Sequence, residues 1–195
     1  AYGLRYNFHT NKKMTGGVAI GQVLRLNDDP GFTSSSGLGK KQSDVFLAAE
    51  LSLSNASYIS FQGLLGSNFK TKKTDFNAGF DYKTLYLDTN YSFLQADSEE
   101  HRLNPIEEWT ISTGHKLNYN WDVKSNLRYD QTESHLASLG AGLAYENQCV
   151  LVNLEMDRRY SLEGTSPPTT NFSFAISLKG FSTGKMTAIS EKSCK

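Results

Sequence analysis

The chain has 195 residues, its 20 Lys and Arg are balanced by 20 Asp and Glu, and the sequence pI is about 7.1. This balance gives no electrostatic basis for binding nucleic acid, which requires a basic surface. The chain contains no run of eighteen apolar residues, the length typical of a membrane-spanning helix, whereas membrane-crossing strands give a much weaker signal.

Apolar and polar residues alternate with a period of two through most of the chain. Successive side chains of a strand point to opposite faces, so each such segment has one apolar and one polar face. The segment 121–131 is typical, with Trp121, Val123 and Leu127 on one face and charged side chains on the other. The predicted strands cover residues 2–10, 15–26, 43–54, 57–66, 72–82, 84–95, 107–119, 121–131, 134–146, 148–160 and 170–181. We therefore predict an all-β fold, an antiparallel up-and-down meander of about 11 long strands.

The lengths and connections of these strands favour a membrane barrel. Strands in globular sheets usually have about 5–6 residues, whereas about 9–11 residues cross the hydrocarbon of a membrane. Tight turns alternate with longer loops, apart from a short joint at Thr132-Glu133, and every proline lies in a predicted loop. We therefore predict part of a transmembrane outer-membrane β-barrel. A soluble lipocalin-like barrel would place the apolar side chains inside, and the alternation alone is compatible with either arrangement.

The residues that usually carry chemistry are scattered. The four histidines have no metal-ligand spacing, and no nucleophile, base and orienting group come together in the sequence. We therefore expect no metal, no cofactor and no enzyme activity. The acidic pairs Asp28-Asp29 and Glu99-Glu100 are expected to be solvated loop charges, with divalent-cation binding at a cell surface as the alternative.

Several segments in order resemble one family. The first is Gly21-Gln22-Val23-Leu24-Arg25, followed by Phe32, Ser36-Gly37-Leu38 and Ser43-Asp44. The others are Tyr145-Glu146-Asn147-Gln148-Cys149, then Arg158-Arg159-Tyr160, and the final run Thr169 to Phe181. Together they resemble the barrel domain of the lipopolysaccharide-assembly protein family LptD, over residues 15–181.

The resemblance implies a large outer-membrane barrel that inserts lipopolysaccharide into the outer leaflet. It also implies an LptE-like plug lipoprotein, an LptA-like periplasmic bridge that meets a preceding N-terminal domain, and the barrel-assembly machinery as partners. Residues 1–181 would then be the C-terminal part of the barrel, and residues 182–195 a tail in the periplasm of a Gram-negative cell. The abrupt start in a strand-like run agrees with this expectation.

The resemblance further implies a disulfide in the periplasm, where such bonds persist. Cys149 occupies the place where the family carries disulfide-forming cysteines, often as an adjacent pair. Here Gln148 and Val150 flank a single cysteine, and Cys194 is the candidate for the second partner. A disulfide to the N-terminal domain, a local Cys149–Cys194 bond and two free thiols are the alternatives.

The final strand and the polar face supply the remaining candidate residues. The final strand is expected to act as an assembly signal and as half of a lateral gate, through Phe172, Phe174, Ile176, Leu178 and Phe181. Groups that could contact phosphates or sugars inside the barrel are Lys124, Arg128, Asp157 and Arg159. A general porin or small-solute channel is the main alternative function, followed by a soluble β-sandwich or carbohydrate-binding module and by an adhesive surface protein.

Overall fold

The computed structural model describes residues 1–10, 14–53, 56–161 and 167–179. These residues form one sheet in which every strand pairs with its neighbours in the sequence, always antiparallel. The strands are β1 Tyr2–Thr10, β2 Met14–Gln22, β3 Val45–Leu53, β4 Ser57–Leu65, β5 Thr71–Tyr82, β6 Leu85–Leu94, β7 Ile106–Lys116, β8 Trp121–Asp130, β9 His135–Glu146, β10 Val150–Arg159 and β11 Thr169–Leu178. The predicted all-β meander of eleven strands is confirmed.

Two strands end earlier than the alternation predicts, each for a local reason. β2 ends at Gln22, and beyond it the chain continues as a narrow hairpin stem in which Ser43 N donates to Val23 O at 2.9 Å. β7 ends at Lys116, because the side chain of Asn118 accepts from the backbone N–H of Trp121 at 3.0 Å and closes a tight turn. The period of two continues through both segments, so the sequence alone places the ends too late.

The connections differ between the two ends of the sheet. At one end, here the turn end, the connections are 11–13, 54–56, 83–84, 117–120 and 147–149. At the other, here the loop end, they are 23–44, 66–70, 95–105, 131–134 and 160–168. The four prolines, all in segments between strands, leave the hydrogen-bond ladder intact. The predicted alternation of short and long connections is therefore present.

The cross-strand register divides the sheet into two chemically distinct faces. Paired residues share a face, so the pairs running from Phe61 through Phe76, Tyr91 and Trp109 to Tyr129 form one aromatic row across β4–β8. We call this side the apolar face. Along the described strands, side chains that can be charged at neutral pH occupy apolar-face positions only near strand ends: Glu107, His115 and Arg158.

In the part of the chain that the structure describes, no second layer covers the apolar face. Within the described residues Ala137, at 9% exposure, is the one buried hydrophobic residue, and no large side chain is fully buried. Leu4, Leu154 and Phe174 are 79%, 49% and 65% exposed. A soluble domain would bury such side chains against another layer. The sheet therefore presents a continuous apolar surface.

Among the described residues there is no helix of the length and apolar character that crossing a membrane demands.

Candidate functional site: the polar face and its loop cap

The opposite side, here the polar face, brings the sequence-predicted contact residues together on two strands, β8 and β10, with β9 between them. Arg128 of β8 and Arg159 of β10 both pair with Ser138 of β9, so the two guanidinium groups flank a small residue in one row. Lys124 and Asp157 lie on the same face in neighbouring rows, beside Gly142 and Gly140. That these four residues contact a substrate stays a prediction.

The small residues of β9 create a hollow between the walls formed by β8 and β10. Its volume is about 310 Å³. Tyr86 and Ser112 close it on the side of β6 and β7, and Glu155 closes it on the side of β10. An aromatic ring, hydroxyls, a cation and carboxylates thus surround one shallow polar depression. This chemistry suits hydroxyl-rich and phosphate-bearing groups.

Aromatic side chains form two bands on the apolar face. The rings of Tyr91 and Trp109 lie 4.9 Å apart near the loop end, and those of Trp121 and Tyr145 lie 4.9 Å apart near the turn end. Tyr129 and Trp121 sit at the two ends of β8, separated by eight residues or about 27 Å along the strand. With the tilt of about 35–45° that is usual for membrane strands, this spacing spans about 19–22 Å of height, close to the apolar band of an outer-membrane barrel, about 25 Å high.

The last strand, β11, is an edge of the sheet. It pairs with β10 on one side only, and every one of its residues is exposed. Its side chains on the apolar face are Phe172, Phe174, Ile176 and Leu178. Phe181, the fifth residue predicted for this strand, lies outside the described residues. The unpaired backbone of β11 is a template for another strand.

Two loops at the loop end are joined into one unit, which we call the loop cap: 23–44 between β2 and β3, and 95–105 between β6 and β7. Ser34 Oγ and Ser35 N donate to Asp97 Oδ2 at 3.0 and 2.7 Å. Ser34 N donates to Glu99 Oε2 at 3.0 Å, and the hydroxyls of Thr33 and Ser35 donate to Glu100. Three consecutive residues of one loop therefore bind three carboxylates of the other.

These hydrogen bonds alter the acidity of two of the carboxyl groups. Burial by itself would raise the pKa of Asp97, but hydrogen bonds from Ser35, Glu99 and Ser34 outweigh it and lower the pKa below its ordinary value of 3.8. The hydroxyls of Ser35 and Thr33, followed by the Arg102 guanidinium, lower the pKa of Glu100 below 4.5. Both carboxylates are therefore stabilised in the charged form that the loop cap uses.

The loop cap folds over the polar face rather than away from the sheet. Gly37, buried and at φ 68°, lies so close to Leu64 of the polar face that an added Cβ would be 2.8 Å from Leu64 Cδ2. Lys72 of β5 forms a 2.6 Å ion pair with Asp44 and donates to Ser34 O at 2.7 Å. The cap is thus anchored to the mouth of the polar face at β3–β6.

Sequence reasoning missed the loop cap. Glu99 and Glu100 are exposed loop charges, as predicted, but their carboxylates also accept hydrogen bonds from the other loop, which the sequence does not indicate. The sequence does carry a signal for the local structure of the second loop. Asp97 is a typical N-cap residue, and it caps the short 3-10 turn Ser98–Glu100 by accepting from Glu99 N at 2.9 Å. The partner loop lies more than sixty residues earlier in the chain, and its sequence contains no pattern that predicts a contact with Asp97.

At the turn end, Cys149 lies in the connection between β9 and β10. It is disulfide-bonded in the structure. Asn147 Oδ1 accepts from Cys149 N at 2.9 Å, and Lys179 N donates to Cys149 O at 2.8 Å, so the turn itself and the residue that follows β11 hold the backbone of this cysteine. Cys194 lies outside the described residues, and a disulfide to the N-terminal domain, one of the alternatives that the resemblance leaves open, stays a prediction.

The described residues contain no group of three or more His, Cys, Asp or Glu side chains arranged to hold a metal ion.

A family model, LptD: LPS transport system D, matches residues 1–121 of the chain. No curated protein matches the chain. The matched segment runs from β1 to the first residue of β8 and includes both loops of the cap. Members of this family are components of lipopolysaccharide transport associated with the outer membrane. The match does not favour the porin alternative. The match covers more than half of the chain, so the chain belongs to the LptD family.

Proposed function

We propose that the chain forms part of an outer-membrane β-barrel that inserts lipopolysaccharide into the outer leaflet. The observation that carries the proposal is the division of the sheet into an uncovered apolar face and a polar face lined with charges. In a bilayer the apolar face contacts lipid and the polar face lines the lumen. The sheet is then stable without a hydrophobic core, because lipid takes the place of a second layer.

The same chemistry suits an amphipathic cargo. The sugars and phosphates of lipopolysaccharide pass along the polar face, beside Lys124, Arg128, Asp157 and Arg159. Its acyl chains leave sideways, because charged groups are costly to place in hydrocarbon. The loop cap lies over the mouth of the polar face, which supports sideways release.

The edge strand β11 is the proposed seam. An unpaired edge cannot face lipid unless its backbone groups are satisfied, so β11 pairs with another strand of the same barrel. Phe172, Phe174, Ile176 and Leu178 then point to lipid, and parting of this seam opens the lateral gate. Residues 1–181 are the C-terminal part of the barrel in this proposal.

The partners follow from this arrangement. The barrel lumen holds an LptE-like plug lipoprotein, and a preceding N-terminal domain receives lipid from an LptA-like bridge. The barrel-assembly machinery inserts the barrel through its final strand. The tail 182–195 lies in the periplasm, and Cys149, at the turn end, faces the same compartment.

Site-specific photocrosslinking in living cells tests the proposal. A photoreactive amino acid at Ser112 reports on the polar face, and the same group at the adjacent Ile111 is the matched control on the apolar face. We expect lipopolysaccharide adducts at Ser112 that disappear soon after lipopolysaccharide synthesis is stopped, whereas adducts at Ile111 persist because they come from membrane lipid. Absence of adducts at Ser112, with adducts at Ile111, would contradict the proposed route.

Mass mapping of the non-reduced full-length protein tests the covalent part. We expect Cys149 to be disulfide-bonded in the full-length protein, as it is in the structure, and a peptide that links it to the N-terminal domain would identify an interdomain bond. A free Cys149 thiol would contradict the proposed disulfide, and a peptide that links Cys149 only to Cys194 would assign it as a local bond.

A further inference from the structure

One row of the polar face contains a side chain that lies across a glycine. Tyr58 of β4 pairs with Gly79 of β5, and Gly79 pairs with Asp88 of β6. The ring of Tyr58 lies flat over Gly79, where an added Cβ would overlap it. The Tyr58 hydroxyl then reaches the third strand, at 2.9 Å from Asp88 Oδ1 and 3.0 Å from Oδ2.

The same arrangement recurs on the polar face at other places along the sheet. Asn126 and Asp157 approach Gly140 from the two sides, and an added Cβ would be 2.8 Å from Asp157 Oδ1. The further rows are Asn7–Gly17–Glu50 and Tyr86–Gly114–Lys124. In each case a glycine in the middle strand separates a tyrosine or asparagine from a charged side chain.

The glycine is what allows the neighbouring side chain to lie down. Any Cβ at Gly79 would occupy the space of the Tyr58 ring and force it away from the sheet. Glycine weakens a strand by about 0.5–1 kcal/mol relative to alanine, so its repeated use on this face requires a compensating contact. By contrast, an added Cβ at Gly142 would meet its nearest atom, Glu155 Cγ, at an ordinary 3.5 Å.

Three of the four rows end on a carboxylate. In the first row of the sheet, Arg5 donates to Asn7 at 3.1 Å and pairs with Glu50 at 3.0 Å, so that carboxylate is also engaged. Both oxygens of Asp88 face one tyrosine hydroxyl. The carboxylates of Asp88 and Glu50 are thus occupied on the face along which, under the proposed function, a phosphate-bearing glycolipid moves.

We propose that Tyr58 and Gly79 are positioning residues that hold the Asp88 carboxylate against the sheet, so that the polar face repels an anionic glycolipid less. This inference rests on the proposed function for its substrate. Like charges at close range disfavour one another, and the repulsion falls as their separation grows. Asp88 keeps its negative charge, but the hydrogen bond from Tyr58 holds that charge beside the sheet, away from phosphates that pass along the lumen.

Carboxylate labelling of the full-length protein in detergent tests the positioning. A water-soluble carbodiimide with an amine modifies Asp88, and Asp81 on the same face is the internal reference. Tyr58→Phe removes the hydroxyl but keeps the ring, Gly79→Ala displaces the ring, and Gly142→Ala is the matched glycine control. We expect Asp88 labelling to rise about threefold or more in Tyr58→Phe and Gly79→Ala, with Asp81 unchanged and Gly142→Ala like the wild type.

Surface lipopolysaccharide, measured in cells that carry the same variants, tests the role. We expect lower export in Tyr58→Phe and restored export in Tyr58→Phe with Asp88→Asn, because the freed charge is then gone. Unchanged Asp88 labelling in Tyr58→Phe would overturn the positioning, even if Gly79→Ala failed to fold. Raised Asp88 labelling together with normal export would overturn the proposal that Tyr58 and Gly79 reduce the repulsion of an anionic substrate. Absence of lipopolysaccharide crosslinks at position 112, in a protein without the Tyr58, Gly79 or Asp88 substitutions, would instead refute the proposed function.

Discussion

Ser34 and Asp97, 63 residues apart in the chain, are joined by a 3.0 Å hydrogen bond from the serine hydroxyl to the carboxylate. The same carboxylate oxygen accepts from Ser35 N at 2.7 Å. One side chain, which is 4% exposed, thus ties the β2–β3 loop to the β6–β7 loop. Loops that are long and unrestrained open readily, so the state of this carboxylate decides how firmly the loop cap covers the polar face.

Replacing Asp97 with alanine should loosen the loop cap. The variant loses the acceptor for both Ser34 and Ser35, so we expect trypsin to cleave after Lys40 and Lys41 several-fold faster in the purified protein. Asp81→Ala, which removes a carboxylate from β5, is the control and should leave the cleavage rate unchanged. Equal cleavage of Asp97→Ala and wild type would show that the loop cap does not depend on this carboxylate.

Acid should open the loop cap in the same way. The pKa values of Asp97 and Glu100 are lowered in the folded cap, so protons bind more tightly when the cap is open. The stabilisation of the loop cap by these two carboxylates is complete above their ordinary pKa values of 3.8 and 4.5. It is lost as the pH falls through their lower pKa values in the folded cap. The protection of the segment 33–36 against hydrogen exchange, relative to the intrinsic exchange rate at each pH, should therefore fall in this acid range.

A double variant separates this effect from general acid unfolding. Asp97→Asn with Glu100→Gln removes both titrating groups, so the protection of the segment 33–36 against exchange should be lower at neutral pH and should change less between neutral and acid pH. An acid response as steep as that of the wild type would assign the effect to other carboxyl groups.

The sheet was predictable from the sequence because its determinant is local. The alternation between Trp121 and Asp130 assigns each side chain to a face. No packed core covers the apolar face, so no tertiary contact selects residues that would break the alternation. The loop cap was not predictable, because the bond between Ser34 and Asp97 depends on how two irregular loops meet in space. The glycine rows escaped for a similar reason, since only the register shows that Tyr58 lies opposite Gly79.

Charge on the apolar face of the final strand should prevent insertion. Ile176→Lys and Phe174→Lys each place an ammonium group toward lipid, at a cost of about 2–4 kcal/mol near the middle of the bilayer. Ala175→Lys places the same charge on the polar face of β11 and is the matched control. The folded fraction, measured by heat-modifiable mobility in detergent gels, should fall for the first two variants only. Normal insertion of Ile176→Lys would refute the assignment of the lipid-facing side.

Two strand glycines on the polar face should respond differently to the same substitution. Gly114→Ala forces the Tyr86 ring off β7, and overpacking of this kind costs about 1–3 kcal/mol. Gly142→Ala on β9 meets ordinary contacts and should gain about 0.5–1 kcal/mol from lower chain entropy in the unfolded state. Urea unfolding of the barrel in detergent measures both. Equal midpoints for the two variants would show that the tyrosine does not occupy the glycine's space.

Arg128 and Arg159 should matter for export through their charge rather than through folding. They flank Ser138 in one row of the polar face, so replacing both with glutamate turns two cations into two anions beside the proposed route. Surface lipopolysaccharide should then fall several-fold, while heat-modifiable folding stays normal because both side chains point away from lipid. Lys83→Glu, the same charge reversal in the β5–β6 turn, is the control and should leave export unchanged. Normal export with both arginines reversed would remove this row from the route, whereas an equal loss with Lys83→Glu would attribute the effect to net charge.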